Sequence, residues 1–600
     1  MKQVNIVSLF LVLVLSACGG TESKVDSALE EQILYFGNGA EPKDLDPHTV
    51  TGVPESHILM ALLEGLVIRH PEGLDPLPGV ARSWDISEDG KTYTFNLRDT
   101  AVWSNGDPVT ASDFVWAWER MLTPSLGSKY PDMLYDVVNA EEFNQGIITD
   151  FTKVGVKALS SQQLLVKLKN PAPYFLGLLA HYTTRPVHRP TIEKFGEIDT
   201  LGSLWTRPGN FIGNGPFTLK EWQLNKVLKV KKNSLYWNAE QVKLNEIHFF
   251  PVDNATREDL MFRAGQLHVT STVPLEKVPV YSKKYPDLLH IDPYYGTYYL
   301  RVNVNKEPFD NKLVRKALSL SIDRKEIVEN VSKGGQIPAF SFTPPDPNSY
   351  YPPTSLEFNP ELARSLLDEA RVSVEKDQTI TLKVTEETGL DTTEDLTPSR
   401  MDEFTPETGI FGGKVGPWLR NLFLWLYNLF VGSGAITEEK EKFPTFELLY
   451  NTSEGHQKLA QAIQQMWKEN LNIDVQLTNT DWKVYLSRQS IGDYSIARAG
   501  WIGDYVDPKT FLDMMVTGRG NNQTGWSNSE YDDLLVKAAQ SPSQDERFRN
   551  FYKAEKILID ELPIIPIYTY TRIYMLNQDV KGWSPNLLDT HPYQFVYLER

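Results

Sequence analysis

The sequence predicts an α/β protein built from several lobes. Segments with strand periodicity and segments with helix periodicity alternate along the chain, which favours mixed α/β layers. The 600 residues are 41% hydrophobic, which is more apolar material than a single core organises. Charged residues make up 23% and aromatic residues 11%, as is typical of a folded globular protein.

The first half of the chain contains a hairpin, a helix and a strand in succession. Residues 81–106 alternate apolar and polar side chains around an Asp-Gly turn. Residues 107–122 predict a helix whose N-cap is either Thr110 or Ser112. Residues 211–222 contain a Gly-Asn-Gly-Pro turn that leads into a strand.

The second half continues the alternation of helices and strands. Apolar residues recur at helical spacing in 311–331, in 359–370 and in 454–471. Residues 472–482 and 562–576 are rich in β-branched and aromatic residues and predict strands.

Composition and motifs argue against nucleic-acid binding and against a recognisable catalytic site. The formal net charge is −18 and the pI is about 5.2, whereas phosphate contacts require a basic face. The chain has no HExxH, GxSxG or CxxC motif, no GxGxxG after a strand, and no histidines grouped at metal-ligand spacing. We therefore expect no enzyme activity, no cofactor and no metal.

The N-terminus has the pattern of an export signal that ends at a lipidation site. Lys2 precedes an apolar run at 6–15, too short for a stable membrane span, and small residues lead to Cys18, the single cysteine. The letters LSAC resemble the bacterial lipobox. We expect residues 1–18 to form a lipoprotein signal peptide, with Cys18 as the lipidated N-terminus and 19–31 as a flexible tether. The alternative is an ordinary secretion signal with a chance cysteine.

Residues 497–508, ARAGWIGDYVDP, place a cation and an anion six residues apart. Arg498 and Asp504 flank a short stretch of glycine and apolar residues. In purely structural terms, Asp504 would cap a turn before Pro508, and Arg498 would pair with a neighbouring carboxylate.

Seven blocks of the sequence resemble the peptide-binding solute-binding proteins of bacterial ABC importers, in particular the oligopeptide-binding group. They occur in the family's order and cover most of the chain after the signal peptide. The blocks are 45–56, 65–84, 103–121, 214–222, 313–328, 448–477 and 497–512.

The resemblance implies a fold of the periplasmic-binding-protein type. Two large α/β lobes would close on a cleft, and a third lobe is typical of the peptide-binding subclass. Hinges are expected near 294–300 and 566–575. The expected boundaries are 32–75, 191–293 and 569–600 for lobe I, 76–190 for lobe II, and 294–568 for lobe III.

The resemblance also implies roles for the charged stretch. Residues 498–504 would form an extended edge on which a peptide lies antiparallel, so that the main chain of Gly500 and Ile502 pairs with the ligand. Asp504 would bind the ligand's α-ammonium, and Arg498, roughly 20 Å away at ~3.3 Å per residue, lies toward its carboxylate. Further expected peptide contacts are Val53, which would pair from the opposite lobe, and Trp501, Trp482, His456, Tyr130 and Arg488.

Some of these assignments have structural alternatives, and the chain departs from the family at two positions. Trp501 and Trp482 would otherwise be core aromatics, and His456 would pack at a helix N-terminus. Thr51 stands where the family often has Glu, which removes a charge favouring basic ligand side chains. Arg488 is one residue out of register with an expected arginine.

An insertion at about 376–442 has no counterpart in the resemblance. It contains a predicted apolar helix, 417–431, with Trp418, Trp425 and Tyr427 as candidate membrane or partner contacts. At ~1.5 Å per residue its apolar run reaches about 21 Å, short of the ~30 Å of a bilayer core. Three placements of this helix are open. It would pack on its own domain, lie in the membrane interface or against the permease, or form a lid or dimer contact.

We therefore expect an exported, membrane-anchored lipoprotein on the periplasmic or cell-envelope side. It would capture short peptides and deliver them to the permease subunits of an ABC importer, with the lipid on Cys18 as its contact with the membrane. Alternatives are a binder of murein-derived or modified peptides, an exported peptidase, a chaperone-like peptide holder and a structural lipoprotein.

Overall fold

A computed structural model describes residues 23–345, 350–377 and 443–600, with only the backbone described for 371–377. The predicted signal peptide with Cys18 lies outside the described residues. The predicted insertion helix with Trp418, Trp425 and Tyr427 also lies outside them. No helix in the described ranges is long and apolar enough to cross a bilayer.

The strands and helices are numbered in chain order. The strands are β1 (Ile33–Gly37), β2 (Val67–Arg69), β3 (Pro76–Pro78), β4 (Ala81–Ile86), β5 (Thr92–Leu97), β6 (Val156–Ser160), β7 (Gln163–Lys167), β8 (Phe217–Gln223), β9 (Val227–Lys232), β10 (Glu246–Phe250), β11 (Leu289–Val302), β12 (Ile337–Pro338), β13 (Phe446–Asn451), β14 (Val475–Thr480), β15 (Ile496–Ile502), β16 (Ile564–Met575), β17 (Val580–Lys581) and β18 (Tyr597–Leu598). The α-helices are α1 (Lys24–Glu31), α2 (Val53–Leu62), α3 (Ala111–Leu122), α4 (Ala140–Asn144), α5 (Phe175–Leu179), α6 (Arg189–Phe195), α7 (Ala255–Arg263), α8 (Val278–Lys284), α9 (Lys312–Leu320), α10 (Arg324–Glu326), α11 (Pro360–Asp377), α12 (Glu454–Leu471), α13 (Trp482–Ser490), α14 (Lys509–Leu512), α15 (Ser529–Gln540) and α16 (Gln544–Glu561).

The tether predicted for 19–31 is wrong over its second half, because α1 occupies that part of the chain. Ser23 is the N-cap and accepts a hydrogen bond from the Asp26 N–H. Val25 and Ala28 are buried, and the Val25 N–H donates to the Gly265 carbonyl at 3.0 Å. Apolar residues three apart give the segment one face that packs on the protein, which its polar average composition conceals.

Two four-stranded sheets share one continuous hydrophobic core. One sheet has the order β1-β10-β9-β8, and the other has the order β4-β5-β7-β6. The predicted Asp-Gly turn joins β4 to β5, and Gly90 adopts a φ of +67° there. Helix α3 covers the second sheet. Its N-cap is Thr110, since the Thr110 N–H donates to Asp113 Oδ2 at 2.7 Å in a capping box.

A third, six-stranded sheet has the order β12-β16-β11-β15-β13-β14. Separate apolar cores cover its two faces, and alternate residues of β11 point into each. Tyr298 and Leu300 belong to one core and Tyr299 belongs to the other. Helix α12 begins and ends at the residues that the periodicity predicted, with Ser453 as its N-cap.

The long strands β11 and β16 connect the third sheet to the body formed by the first two. They pair antiparallel from Arg301↔Ile564 to Leu289↔Met575. Beyond that pairing, Val269 bridges to Leu576 and to Phe36 of β1. The molecule therefore consists of two bodies with separate cores, and the main cavity lies between them.

Candidate functional site

A cavity of about 440 Å³ lies between the two bodies, within the size range of ligand sites. One body contributes the start of α2 and the segment around His181. The other contributes β15, the start of α12 and one face of α13. The described residues contain no group of His, Cys, Asp or Glu side chains placed to hold a metal ion.

Strand β15 presents a free edge to this cavity. Its neighbour β13 pairs only with Ile496 and Ala497. On the other side, the Gly503 N–H donates to the Tyr295 carbonyl of β11. In an antiparallel ladder this register directs the main-chain groups of alternate residues outward, and these include Gly500 and Ile502. Within the described residues no strand pairs with residues 498–502 on that edge.

The space beside Gly500 leaves little room for a side chain unless Tyr570 moves. A Cβ there would overlap the Tyr570 hydroxyl and lie 3.2 Å from Tyr570 Cζ. The exposed backbone of Gly500 can therefore be approached closely by another chain.

Asp504 lies at one end of this edge as an almost fully buried carboxylate, with a side chain 11% exposed. Its Oδ1 is 3.2 Å from His181 Nε2, and its Oδ2 accepts from Thr510 Oγ1 at 3.2 Å. Burial raises the pKa of Asp504 to about 7, helped by Asp132 and opposed by Arg69.

Within the described residues, no fixed cation pairs with this carboxylate. Burial, with the charges of Arg69 and Arg185, holds the pKa of His181 well below its usual value, so its imidazole is neutral. Arg69 donates to the main-chain carbonyl of Asp504 and not to its side chain. Among the described residues, no Lys or Arg nitrogen lies within 4 Å of the Asp504 carboxylate oxygens.

Arg498 lies toward the other end of the edge and is also without an opposite charge. Its Nη1 donates to Asn451 Oδ1 at 3.1 Å, and its Nη2 donates to Tyr570 Oη at 3.3 Å. Its guanidinium lies 5.2 Å from the Tyr298 ring centroid. In the part of the chain that the structure describes, no carboxylate pairs with Arg498 and its buried Nε has no partner.

The predicted aromatic contacts line the same cavity. Trp501 donates its indole N–H to the Thr510 carbonyl at 2.9 Å and packs 6.0 Å from the Tyr130 ring. Trp482 begins α13 and stacks on Tyr485 with ring centroids 5.6 Å apart. These aromatic side chains form part of the cavity wall beside the free edge.

Val53 and His456 also line the cavity, each at the start of a helix. Val53 is the first residue of α2, 42% exposed, so its N–H is one of the donors that the helix leaves free. It offers a donor from a helix end and not a strand edge. The ring of His456 lies 5.7 Å from that of Tyr298, and its pKa is lowered by burial and by Arg498.

The expected peptide contact of Arg488 is contradicted by its position. Arg488 does not line the cavity, because its Nη2 binds Glu447 Oε1 at 2.7 Å and its Nε binds Asp493 Oδ2 at 2.8 Å. The next residue, Gln489, lines the cavity and donates to the Arg498 carbonyl at 3.1 Å. One residue along a helix is a rotation of about 100°, which separates the two faces.

A family profile described as "Bacterial extracellular solute-binding proteins, family 5 Middle" matches residues 75–404 and 429–523. The chain belongs to this family. It is 33% identical to the periplasmic oligopeptide-binding protein OppA of Escherichia coli (strain K12) over 564 residues. The match covers 92% of this chain and 90% of that protein.

Solved structures confirm the predicted fold class for this solute-binding protein. Haemophilus influenzae OppA in complex with RPPGFSPFR matches with a TM-score of 0.79 at 31% identity, covering 95% of this chain and 99% of that one. The unliganded open form of the murein tripeptide-binding protein MppA matches with a TM-score of 0.56 at 30% identity, covering 95% and 98%. Identity and coverage are nearly equal in the two matches, so the TM-scores indicate that the overall arrangement of this chain is nearer to the peptide-bound OppA structure than to the open form of MppA.

Sequence reasoning about this solute-binding protein did not identify several polar side chains of the cavity, and four of them lie close to the charged groups of the edge. These four are Arg69, His181, Arg301 and Gln489. Arg69 and His181 reach Asp504 from segments more than 300 positions away in the chain. Arg69 stands in the block 65–84, but nothing in that block marks it as a cavity residue, and the other three stand in no motif.

Proposed function

We propose that this solute-binding protein captures short peptides in extended form and delivers them to the permease of an ABC importer while anchored through lipid on Cys18. The observation that carries the proposal is the placement of an unneutralised buried anion, Asp504, and an unneutralised buried cation, Arg498, along the free edge of β15. A peptide has the opposite charges at its two ends. Its main chain supplies the hydrogen bonds that the edge lacks.

The geometry supports a peptide of a few residues. From Arg498 to Ile502 the strand covers roughly 13 Å at ~3.3 Å per residue, and Asp504 lies two residues beyond the end of the strand. A free amino acid would reach only one of the two charges. Because Gly500 and Ile502 offer main-chain groups, pairing with the edge is indifferent to ligand side chains.

The anchor is supported by the N-terminal sequence. Lys2, the apolar run at 6–15 and Cys18 match a lipoprotein signal. Several acyl chains on one cysteine would hold the protein at a membrane stably, since stable anchoring requires more than one chain.

Murein-derived peptides form a second candidate ligand class. The chain is 32% identical over 566 residues to the periplasmic murein peptide-binding protein MppA of Escherichia coli (strain K12), nearly the same identity as to OppA. Such a ligand would still place its amino group at Asp504 but would use different side-chain contacts.

Calorimetry of the chain lacking residues 1–18 tests peptide capture. Di- to pentapeptides with free N-termini should bind, and the same peptides with acetylated N-termini should bind far more weakly, because acetylation removes the charge that Asp504 requires. If free and acetylated peptides bind with equal affinity, Asp504 has a structural role. If murein tripeptide binds and ordinary peptides do not, the second candidate is correct.

A further inference from the structure

Arg301 of β11 is a second buried cation that lines the cavity without an opposite charge. The residue is 5% exposed. Its Nη1 donates to Gln489 Oε1 at 3.1 Å and to Gln523 Oε1, and its Nη2 donates to Tyr299 Oη at 3.0 Å. Its Nε has no hydrogen-bond partner, and no carboxylate among the described residues pairs with it.

Another arginine of the same cavity, Arg572, has the carboxylate partner that a buried guanidinium ordinarily has. Arg572 is buried against Asp589, with Nε 2.5 Å from Oδ2. A guanidinium in a low-dielectric site ordinarily has a carboxylate partner, because burying a lone charge is costly. The lining as a whole has four arginines, Arg69, Arg301, Arg498 and Arg572, against three carboxylates, Asp253, Asp504 and Asp589. The cavity of this strongly acidic chain therefore has an excess of positive charge.

The register of the sheet defines which ligand side chains point toward Arg301. Arg301 pairs with Ala497, Tyr299 with Ala499, and Thr297 with Trp501, so these side chains share one face of the sheet. A peptide antiparallel to β15, with its first residue opposite Ile502 beside Asp504, places its second residue opposite Trp501 and its fourth opposite Ala499. Even-numbered ligand side chains therefore project to the face that contains Arg301.

We propose that Arg301 makes the cavity selective for peptides with Asp or Glu at an even-numbered position, the second or the fourth. The inference rests on the proposed peptide-binding function and specifies its ligand class. A ligand carboxylate would supply the missing counter-charge and a partner for Nε. Gln489 and Gln523 hold the guanidinium in place, and they also line an outer recess that contains Lys129 and Lys306, which adds to the positive potential.

Calorimetry with matched free tetrapeptides tests this selectivity. Ala-Glu-Ala-Ala is compared with Ala-Gln-Ala-Ala, and Ala-Ala-Ala-Glu with Ala-Ala-Ala-Gln. Glu and Gln have nearly the same size, so their affinity ratio isolates the charge. We expect the Glu peptide of one pair to bind at least about tenfold tighter, as for a hydrogen bond between charged groups. Equal affinities in both pairs would overturn the inference.

Variants of Arg301 connect the preference to this side chain. Arg301→Gln should reduce the Glu-to-Gln ratio to within about twofold, and Arg301→Glu should reverse it in favour of the Gln peptide, because two carboxylates repel each other. The ratio is measured within one protein, so a general loss of stability cancels. An unchanged ratio in a folded Arg301→Gln protein would assign Arg301 a structural role that holds the two glutamines.

The peptide Ala-Ala-Ala separates failure of this inference from failure of the proposed function. If Ala-Ala-Ala binds and the Glu and Gln peptides are equal, only the selectivity of Arg301 is wrong. If no free peptide binds, the proposed function and this inference are both wrong. If a variant does not fold, the wild-type ratio alone decides.

Discussion

Replacing Asp504 by Asn should weaken binding of peptides with a free N-terminus by about 30- to 1000-fold. Two effects determine this magnitude. The closed cavity raises the pKa of Asp504 to about 7, some 3 units above its usual value, so burying the ionised carboxylate costs about 4 kcal/mol before a ligand arrives. The ligand's ammonium supplies the opposite charge that the carboxylate lacks, and losing one partner of a buried charge pair typically costs about 2–5 kcal/mol.

The Asn side chain is neutral and has nearly the same shape. It removes both the attraction and the burial cost, which places the expected loss at about 2–4 kcal/mol, the lower part of that range. It also retains an oxygen to accept from Thr510 Oγ1. The fold should therefore be preserved, and the loss should concern the ligand.

Calorimetry with one tripeptide in free and acetylated forms measures the effect. The free peptide should lose affinity in Asp504→Asn, and the acetylated peptide should bind both proteins almost equally. Asp253→Asn is the matched control, because Asp253 lines the same cavity but is exposed at its rim. A similar loss for both peptide forms, or an equal loss in Asp253→Asn, would refute the assignment of Asp504 to the ligand's amino group.

Three further predictions concern pH, the glycine of the free edge and the misplaced arginine. The free-energy penalty for burying ionised Asp504 begins above pH ~4, grows to about pH 7 and is constant above it. Acidification from pH 8 to 5 removes most of this penalty and should favour the closed empty form by up to ~100-fold. Small-angle scattering measures this closure, and a pH response that persists in Asp504→Asn would contradict its origin. Gly500→Ala should lower the free energy of unfolding by about 1–3 kcal/mol, the typical cost of overpacking, and Tyr570→Phe should restore part of that stability by removing the hydroxyl that the new methyl meets. Denaturant unfolding measures both changes, and no recovery would argue against that overlap. Arg488→Ala should leave peptide affinity unchanged and lower the free energy of unfolding by no more than about 1 kcal/mol, because its pairs with Glu447 and Asp493 lie near the surface; a lost affinity in calorimetry would return Arg488 to the site.

Local patterns predicted the regular elements well where one physical preference dominates. The helix at 454–471 has an apolar stripe and a Ser cap, and the structure has the same bounds. The strand predicted at 562–576 is β16, two residues shorter at its start. The helix α1 was not predicted, because eight residues with only a few apolar positions form a helix through packing on the rest of the protein.

The arrangement of charges along the edge of β15 could be predicted once the family resemblance implied an extended form for this segment. Spacing within one strand follows from a constant rise and from alternation of side chains, so Arg498, Gly500 and Asp504 keep their order and separation in any fold that extends them. The tertiary structure decided which side chains surround that edge. Arg301 comes from a paired strand, and His181 from the other body. Their positions depend on how distant segments pack, which local periodicity does not encode.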